Sequence, residues 1–438
     1  MRQLECHEEE IHLCGKIQFF GFLCIFNESG CIAASENLSS VLEIPMKEIL
    51  GRSIGQLLPL LSSEQEWNLK EIERQITGEI FTRFVERIRI KGVDYYLSIY
   101  RYDDKTYVEV EICSENHLKA TRLFYYAKYL EEQHGNAWQS LTVLIRQIIG
   151  FDRVMVYRLE EDGSGQVIAE SLAEDMTSLL GYRYPEFDIP KQARELYRTK
   201  HCRFVVDTHD EGSIISSLEG KEINLQDVSI RRLSPIHLQY LKNAGFRSSI
   251  SFSIMIKGEL WGLVCCQNES PKHVDLSIRN FSLLATNFAA NKFQQLEDNE
   301  IINYLKEVQE LELQLKEKVL LKSNIFLELK DFSKTLIQML EADGIAIGFK
   351  DSIFLDGLHP EKETLRSQIP KLSELSKNHI FTTHALSSQN NIYEAFGKSI
   401  AGLTFASIDN KKDFFIIWFR KEIPLNKDWA GKPEKFYL

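Results

Sequence analysis

Residues 184–197 read YPEFDIPKQARELY, and residues 231–268 read RRLSPIHLQYLKNAGFRSSISFSIMIKGELWGLVCCQN. In the first stretch Asp188 lies between an aromatic-rich turn and a helix whose start is set by Pro190, because proline's fixed φ suits the first helical position. In the second, His237 falls near the start of another helix, and a hairpin follows, SSISFSIMI–KGE–LWGLVCC. Ser249 and Ser251 stand two residues apart on its first strand and so share one face. An acid and a histidine presented by short, stiff turns among aromatic residues point to a pocket for a large, flat, partly charged ligand.

Outward from there, residues 150–270 run strand (FDRVMVYRL), DGSG turn, strand (QVIAESL), helix, strand, helix and the closing hairpin. This is a sheet with helices packed against it, in a GAF-like order. Upstream, KIQFFGFLCIF (16–26) is a strand candidate and NLSSVLEIPMKEILG is helical with a proline break. FTRFVERIRI, YYLSIYRY and KTYVEVEIC alternate as three strands joined by Gly and Asp turns. That order predicts an antiparallel sheet with helices on one face, similar to a PAS domain. Residues 118–149 carry a helical apolar pattern through Leu123, Tyr126, Ala127 and Leu130. Residues 272–343 contain neither proline nor glycine, and their Glu/Lys pairs predict a long linking helix with a possible coiled-coil dimer seam. After Gly344 a third, smaller sheet domain is expected (GIAIGF, IAGLTFASI, DFFIIWFRKE). The last residues, WAGKPEKFYL, read as a strand beginning where the chain stops, so a truncated chain is expected.

The formal charge of −11 over 438 residues argues against nucleic acid or an anionic membrane as the main partner. No apolar run approaches the roughly 20 residues that span a bilayer. The eight cysteines show no CxxC pair and no metal-ligand spacing. They read as reduced thiols of a cytoplasmic protein, with Cys265 and Cys266 as small core hydrophobes.

Several residues have two readings each. Cys6, ten residues before the first strand, is either an incidental surface thiol or a nucleophile on a reaching segment. Glu5, Glu8, Glu9 and Glu10 disfavour its thiolate, so its reaction would depend on proximity. Asp188 either caps the helix or faces a cluster of N–H donors. His237 is either a satisfied core histidine or one that titrates near neutrality beside a ligand. Arg203 and Arg231 either form surface salt bridges or grip a ligand with two acid arms. Tyr157, Tyr184 and Tyr240 supply aromatic walls or core packing. No nucleophile–base set, phosphate loop or dinucleotide fingerprint is present, so no catalytic residues are expected.

The ordered motifs CHEEEIHLCGKIQ, FDRVMVYR, GYRYPEFDIPKQARELY, LSPIHLQYLKNAGFRSSISFSI, GELWGLVCC, FIIWFRKE and WAGKPEK resemble the photosensory module of bacteriophytochromes. The resemblance implies an α+β chain of three sensory domains: PAS over 1–117, GAF over 118–298 and a partial PHY over 299–438. It implies a red/far-red photoreceptor holding biliverdin, a linear tetrapyrrole, through a thioether at Cys6. By the same resemblance Asp188 contacts the pyrrole nitrogens and His237 sits beside the central rings. Tyr157, Tyr184 and Tyr240 surround the D-ring, Arg203 and Arg231 bind one propionate, and Ser249 and Ser251 the other. Light would isomerise the C15=C16 bond and turn the D-ring. The family threads its N-terminal segment through a GAF loop, which would bring Cys6 to the pocket. A homodimer is implied, as is a response regulator reached through an output domain, often a histidine kinase, that is missing here.

Three departures stand out. Gln267 replaces the family's usual histidine after the last GAF cysteine. Cys14 and Phe20 replace a proline and a histidine of the N-terminal stretch. The PHY tongue stops before its PRxSF segment, which puts a stable far-red state in question. The rival expectation is a PAS–GAF sensor of a cyclic nucleotide or haem without photochemistry.

Overall fold

Alternating side chains along Gly21–Asn27 decide how the first domain packs. Phe22, Cys24 and Phe26 face four short helices through Leu38, Ile49, Leu57 and Ile72, while Leu23 and Ile25 face the opposite way. The structure, a computed structural model, describes residues 11–430 except 64, 80–81, 115–119, 133–134, 190, 219, 323, 387–389, 397–398, 410–412 and 425. It divides into two units, residues 1–296 with 427–438, and residues 297–426.

The strands of the first unit are β1 (Lys16–Ile17), β2 (Gly21–Asn27), β3 (Gly30–Ser35), β4 (Arg83–Ile90), β5 (Val93–Tyr102), β6 (Lys105–Ile112), β7 (Arg153–Leu159), β8 (Gly165–Leu172), β9 (Arg183–Tyr184), β10 (Cys202–Val205), β11 (Ser213–Ser217), β12 (Ser248–Ile256) and β13 (Glu259–Asn268). Its first sheet has the order β1-β11-β3-β2-β6-β5-β4. The second face of this sheet, with Leu23, Ile25, Tyr100 and Tyr107, is buried in a core shared with the next domain. A sheet with helices on one face only is therefore half of the packing. The expected 16–26 strand is broken at Gln18–Phe20, because Gln18 turns inward. Its side chain donates to the Phe204 carbonyl (3.0 Å) and accepts from the Val206 N–H (3.0 Å).

That detail belongs to a larger feature. Ile17 pairs with Ser213 on one side and with Arg231 on the other. The Leu225 N–H donates to the His12 carbonyl (2.8 Å), and the Gln18 N–H donates to the Ile230 carbonyl (2.9 Å). Residues 12–18 thus pass between the two limbs of the 207–231 segment.

The second sheet has the order β10-β12-β13-β7-β8-β9. The helical pattern read over 118–149 forms two helices, Ala120–Glu132 and Ala137–Ile149. Asn136 starts the second by accepting from the Trp138 and Gln139 N–H groups, and Gly150 ends the helix in the left-handed region. Across the sheet, Phe204, Ile250, Cys266 and Val154 lie opposite one another and point into the helix-covered core. The flanking rows, Arg203–Ser251–Cys265–Met155 and Val205–Ser249–Gln267–Arg153, point to the other face. Cys265 therefore packs on the opposite face from Cys266, against the clusters of Met155, Tyr157 and Val167 and of Tyr197, Leu260 and Leu263.

The helix Leu276–Lys322 leads into the second unit. The stretch free of proline and glycine is not one helix, since Asn324 caps a new one by accepting from the Leu327 N–H (3.3 Å). There β14 (Gly344–Phe349), β15 (Ser352–Gly357), β16 (Ile380–Thr383), β17 (Ile400–Ser407) and β18 (Phe414–Lys421) form an antiparallel sheet in the order β15-β14-β18-β17-β16. Leu365 and Leu372 cover one face, and Leu329, Leu336 and Ile337 the other. Among the described residues no helix is long and apolar enough to cross a membrane. The chain is α+β throughout, as expected.

Candidate functional site

The face of the second sheet turned away from the Ala137–Ile149 helix gathers most of the residues singled out in the sequence. Tyr157, 3% exposed, packs its ring 5.8 Å from that of Tyr184. Its ring lies on the backbone of Gly165, where a Cβ would come within 1.9 Å of it, so only glycine fits there. Asp188 ends a short 3-10 turn, Glu186–Asp188. Arg194 steadies that turn, donating to the Ile189 carbonyl (2.7 Å) and to the Gly163 carbonyl. The DGSG hairpin and the acid-bearing turn are thereby fastened together.

Asp188 caps no helix among the described residues. Its carboxylate accepts no hydrogen bond there, and burial alone pushes its pKa up to about 6. The hydroxyl groups of Tyr157, Tyr184 and Tyr240 all lie within electrostatic reach of it and are raised first by burial, that of Tyr184 to about 12. Tyr240 keeps 39% of its surface accessible, while its hydroxyl end lies among Asp188, Tyr184 and Tyr157.

His237 stacks on Tyr240 (6.1 Å between ring centroids, 17° between planes). Burial and then the Arg203 charge push its pKa down to about 4. It is therefore neutral at physiological pH, not a group titrating near neutrality. The Ser234 hydroxyl accepts the His237 N–H (3.2 Å) and fixes the start of the helix Pro235–Asn243.

Neither arginine is a surface residue. Arg231 is 4% exposed, and burial lowers the pKa of Arg203. Arg203 has no carboxylate partner among the described residues; its guanidinium stands 5.9 Å from the Tyr197 ring centre. Both arginines line a small cleft with Cys202, Gln226, Ser229 and Leu233. Ser251 lies beside Tyr197 and opposite Cys265, whereas Ser249 lies opposite Gln267 in the next row. Gln267 Oε1 and the Tyr157 hydroxyl are buried without a hydrogen-bond partner among the described residues. Cys6 and Pro190 lie outside the described residues. Cys14 is half-buried, donates to the Lys16 carbonyl (3.4 Å) and feels the Arg203 charge.

Sequence reasoning missed Tyr197, Arg194 and Gly165, and it did not assign Cys265 to the sheet face opposite Cys266. Strand alternation at Cys265–Cys266 carried the signal for the last. The strand expected to begin at 429 pairs with β9, which the sequence did not indicate: the Asp428 carbonyl accepts from the Arg183 N–H (2.7 Å) and the Ala430 N–H donates to the Arg183 carbonyl (2.9 Å). That segment extends the sheet beside Tyr184, and Lys427 pairs with Asp162 at 3.1 Å.

The polar atoms left without partners suit a ligand offering N–H donors to Asp188 and an anionic arm to Arg203. A raised acid has a defined pH signature. The Asp188 contribution to stability is present below its unfolded pKa, near 3.8, and is lost as pH rises through about 6. In ligand-free protein, Asp188→Asn is expected to raise the urea midpoint at neutral pH and to leave it unchanged near pH 4. Equal midpoints at both pH values would contradict this assignment.

Comparison with known proteins matches the PAS fold over residues 6–113, the GAF domain over 135–291 and the phytochrome region over 308–438. Cyanobacterial phytochrome B of Nostoc sp. is 28% identical over 445 residues, which cover 98% of this chain and 59% of its own length. A bacteriophytochrome of Pseudomonas aeruginosa is 27% identical over 452 residues, with 98% and 59% coverage. The chain thus spans about 59% of the length of these curated relatives. Among solved structures, a bacteriophytochrome of R. palustris superposes with a TM-score of 0.85 at 25% identity, over 98% of this chain and 88% of that one. The phytochrome photosensory core module of Stigmatella aurantiaca gives 0.79 at 26% identity, over 99% and 88%.

Proposed function

The chain is a phytochrome photosensory module of the bacteriophytochrome type, with PAS, GAF and phytochrome-region domains in that order, and on that premise we propose that it is a red/far-red photoreceptor binding biliverdin covalently. Phytochrome relatives imply a linear tetrapyrrole. Ring N–H groups and carboxylate arms, which biliverdin has, suit Asp188 and Arg203, whose neighbourhoods are linked through the stacked Tyr240 and His237. The presence of both groups, each without a charged partner among the described residues, is the observation that carries the reading.

In this reading Asp188 accepts hydrogen bonds from ring nitrogens, and neutral His237 packs beside the central rings without adding charge. Arg203 and Arg231 bind one carboxylate arm, Ser249 and Ser251 the other. Tyr157, Tyr184 and Tyr240 wall the terminal ring, and the Gln267 amide takes its polar edge. Cys6 supplies the covalent anchor. When bound, the pigment supplies light absorption and isomerisation of a double bond. The protein's share is to hold the rings, exclude water and pass the altered contacts at Asp188 to the 427–430 segment and the Leu276–Lys322 helix.

Association as a homodimer is supported by exposed Phe124 (69%), Tyr125 (68%) and Leu284 (61%) on helices of the first unit. The whole protein would signal through an output domain to a response regulator. Adding biliverdin to the pigment-free protein is expected to give a red-absorbing product in equimolar yield, whereas haem and cyclic nucleotides give no saturable binding. Saturable binding of either of those, with none of biliverdin, would overturn the reading.

A further inference from the structure

Glu109 on β6 is 3% exposed, and no lysine, arginine or histidine is paired with it among the described residues. Its carboxylate is nonetheless fully engaged. It accepts the Tyr100 hydroxyl at 3.0 Å, the Ser229 N–H at 3.1 Å and the Ile230 N–H at 3.3 Å. The last two belong to the far limb of the 207–231 segment, and the residue after them is Arg231.

The same limb is fastened to the first sheet at neighbouring points. Tyr107 donates to the Asn224 carbonyl (2.9 Å), the Tyr100 hydroxyl oxygen lies 3.3 Å from the Asp227 carbonyl while its hydrogen goes to Glu109, and Arg83 pairs with Asp227 (3.3 Å). Tyr100 is itself held from behind, stacked on Tyr107 at 5.4 Å and covered by the Arg83 guanidinium at 3.8 Å. On its other side the limb is closed by the Ile17–Arg231 pairing and by Gln18, which donates to the Arg231 carbonyl (3.4 Å).

We infer that Glu109 is a positioning residue for Arg231: by holding the Ser229 and Ile230 amides, it sets the arginine against a carboxylate arm of the pigment. This rests on the reading of Arg203 and Arg231 given above. Its physical basis is that two backbone amides bound to one buried carboxylate cannot shift independently, and hydrogen bonds to a charged acceptor are about twice as strong as neutral ones. Arg231 follows directly in the chain, so its backbone inherits that constraint. A guanidinium grips a carboxylate through two parallel bonds, and a small displacement of the backbone loses one of them. The PAS sheet thus acts as a jig for a pocket it does not line.

The test compares two pigments in the full chain, biliverdin and biliverdin dimethyl ester, whose arms carry no charge. The reading is the pigment concentration that half-saturates the rate of assembly. Glu109→Ala is expected to raise that concentration about tenfold for biliverdin and to leave it within about twofold for the ester. Glu109→Gln keeps an acceptor for one amide with little change of shape, so it should fold normally and give a smaller loss, again for biliverdin alone. Equal weakening of both pigments, or no weakening in the glutamine and alanine variants, overturns the inference. If the unaltered chain does not prefer biliverdin to its ester, the carboxylate role of Arg203 and Arg231 fails first, and the inference with it.

Discussion

Cys6→Ala is expected to abolish the acid-stable pigment adduct completely while leaving biliverdin bound in native protein. Cys6 precedes Cys14 by eight residues. At roughly 3.5 Å per extended residue, that chain reaches about 28 Å. The segment it grows from is held between the limbs of residues 207–231, and Cys14 already lies within electrostatic reach of Arg203. Reach is therefore ample, and the tether starts at the rim of the pocket. Four glutamates around Cys6 work against its thiolate, so attachment should depend on a pigment first seated in the site. The pocket residues are untouched by the substitution, which is why reversible binding should persist. The check is absorbance of the denatured protein in acid. An adduct that survives in the variant would move the attachment to another thiol, with Cys14 and the pocket-facing Cys265 the first to be replaced.

Arg279→Ala is expected to cost about 3–5 kcal/mol of folding stability, because it strands a buried carboxylate. Arg279 lies in the first turn of the helix Leu276–Lys322 and donates to both oxygens of Glu111 on β6, at 2.9 and 2.7 Å. The two side chains are 3% and 4% exposed. The guanidinium also donates to the Val274 carbonyl (2.6 Å) and covers the Phe204 ring at 3.9 Å. One residue thus ties the long helix to the PAS sheet and to the strand that carries Arg203. Burial already raises the Glu111 carboxyl even with its partner present. Without the arginine, protonation becomes the way to relieve the charge, so the deficit should shrink as pH falls. Replacing both residues with apolar ones of similar volume should recover most of the loss. Urea denaturation of the four proteins of the cycle measures this, and a single-variant loss below about 1 kcal/mol would contradict it.

Much of the fold was legible because short-range patterns carried it. Period-two runs such as FTRFVERIRI became β4, and Pro45 broke the helical stretch where a proline must. Asp188 and His237 could be proposed from turn chemistry, since one ends a 3-10 turn and the other lies in the first turn of a helix, whereas Tyr157 and Tyr240 lie within their elements and were named from composition and resemblance. What stayed hidden depended on long-range pairing. Nothing local to Ser213–Ser217 says that it will bridge β1 and β3, since its partners lie about 180–200 residues away in the chain. Glu109 reads as a solvent-facing strand acid until the 207–231 segment covers it. The neutrality of His237 required knowing that it is buried beside Arg203.

The central claim is that the GAF pocket holds a light-switchable bilin, and a light-minus-dark absorption spectrum of the biliverdin-loaded chain tests it most directly. The account predicts that red light bleaches the red band, and that darkness or far-red light restores it. A pigment that binds yet gives a flat difference spectrum, at neutral pH and across repeated illumination, would contradict it.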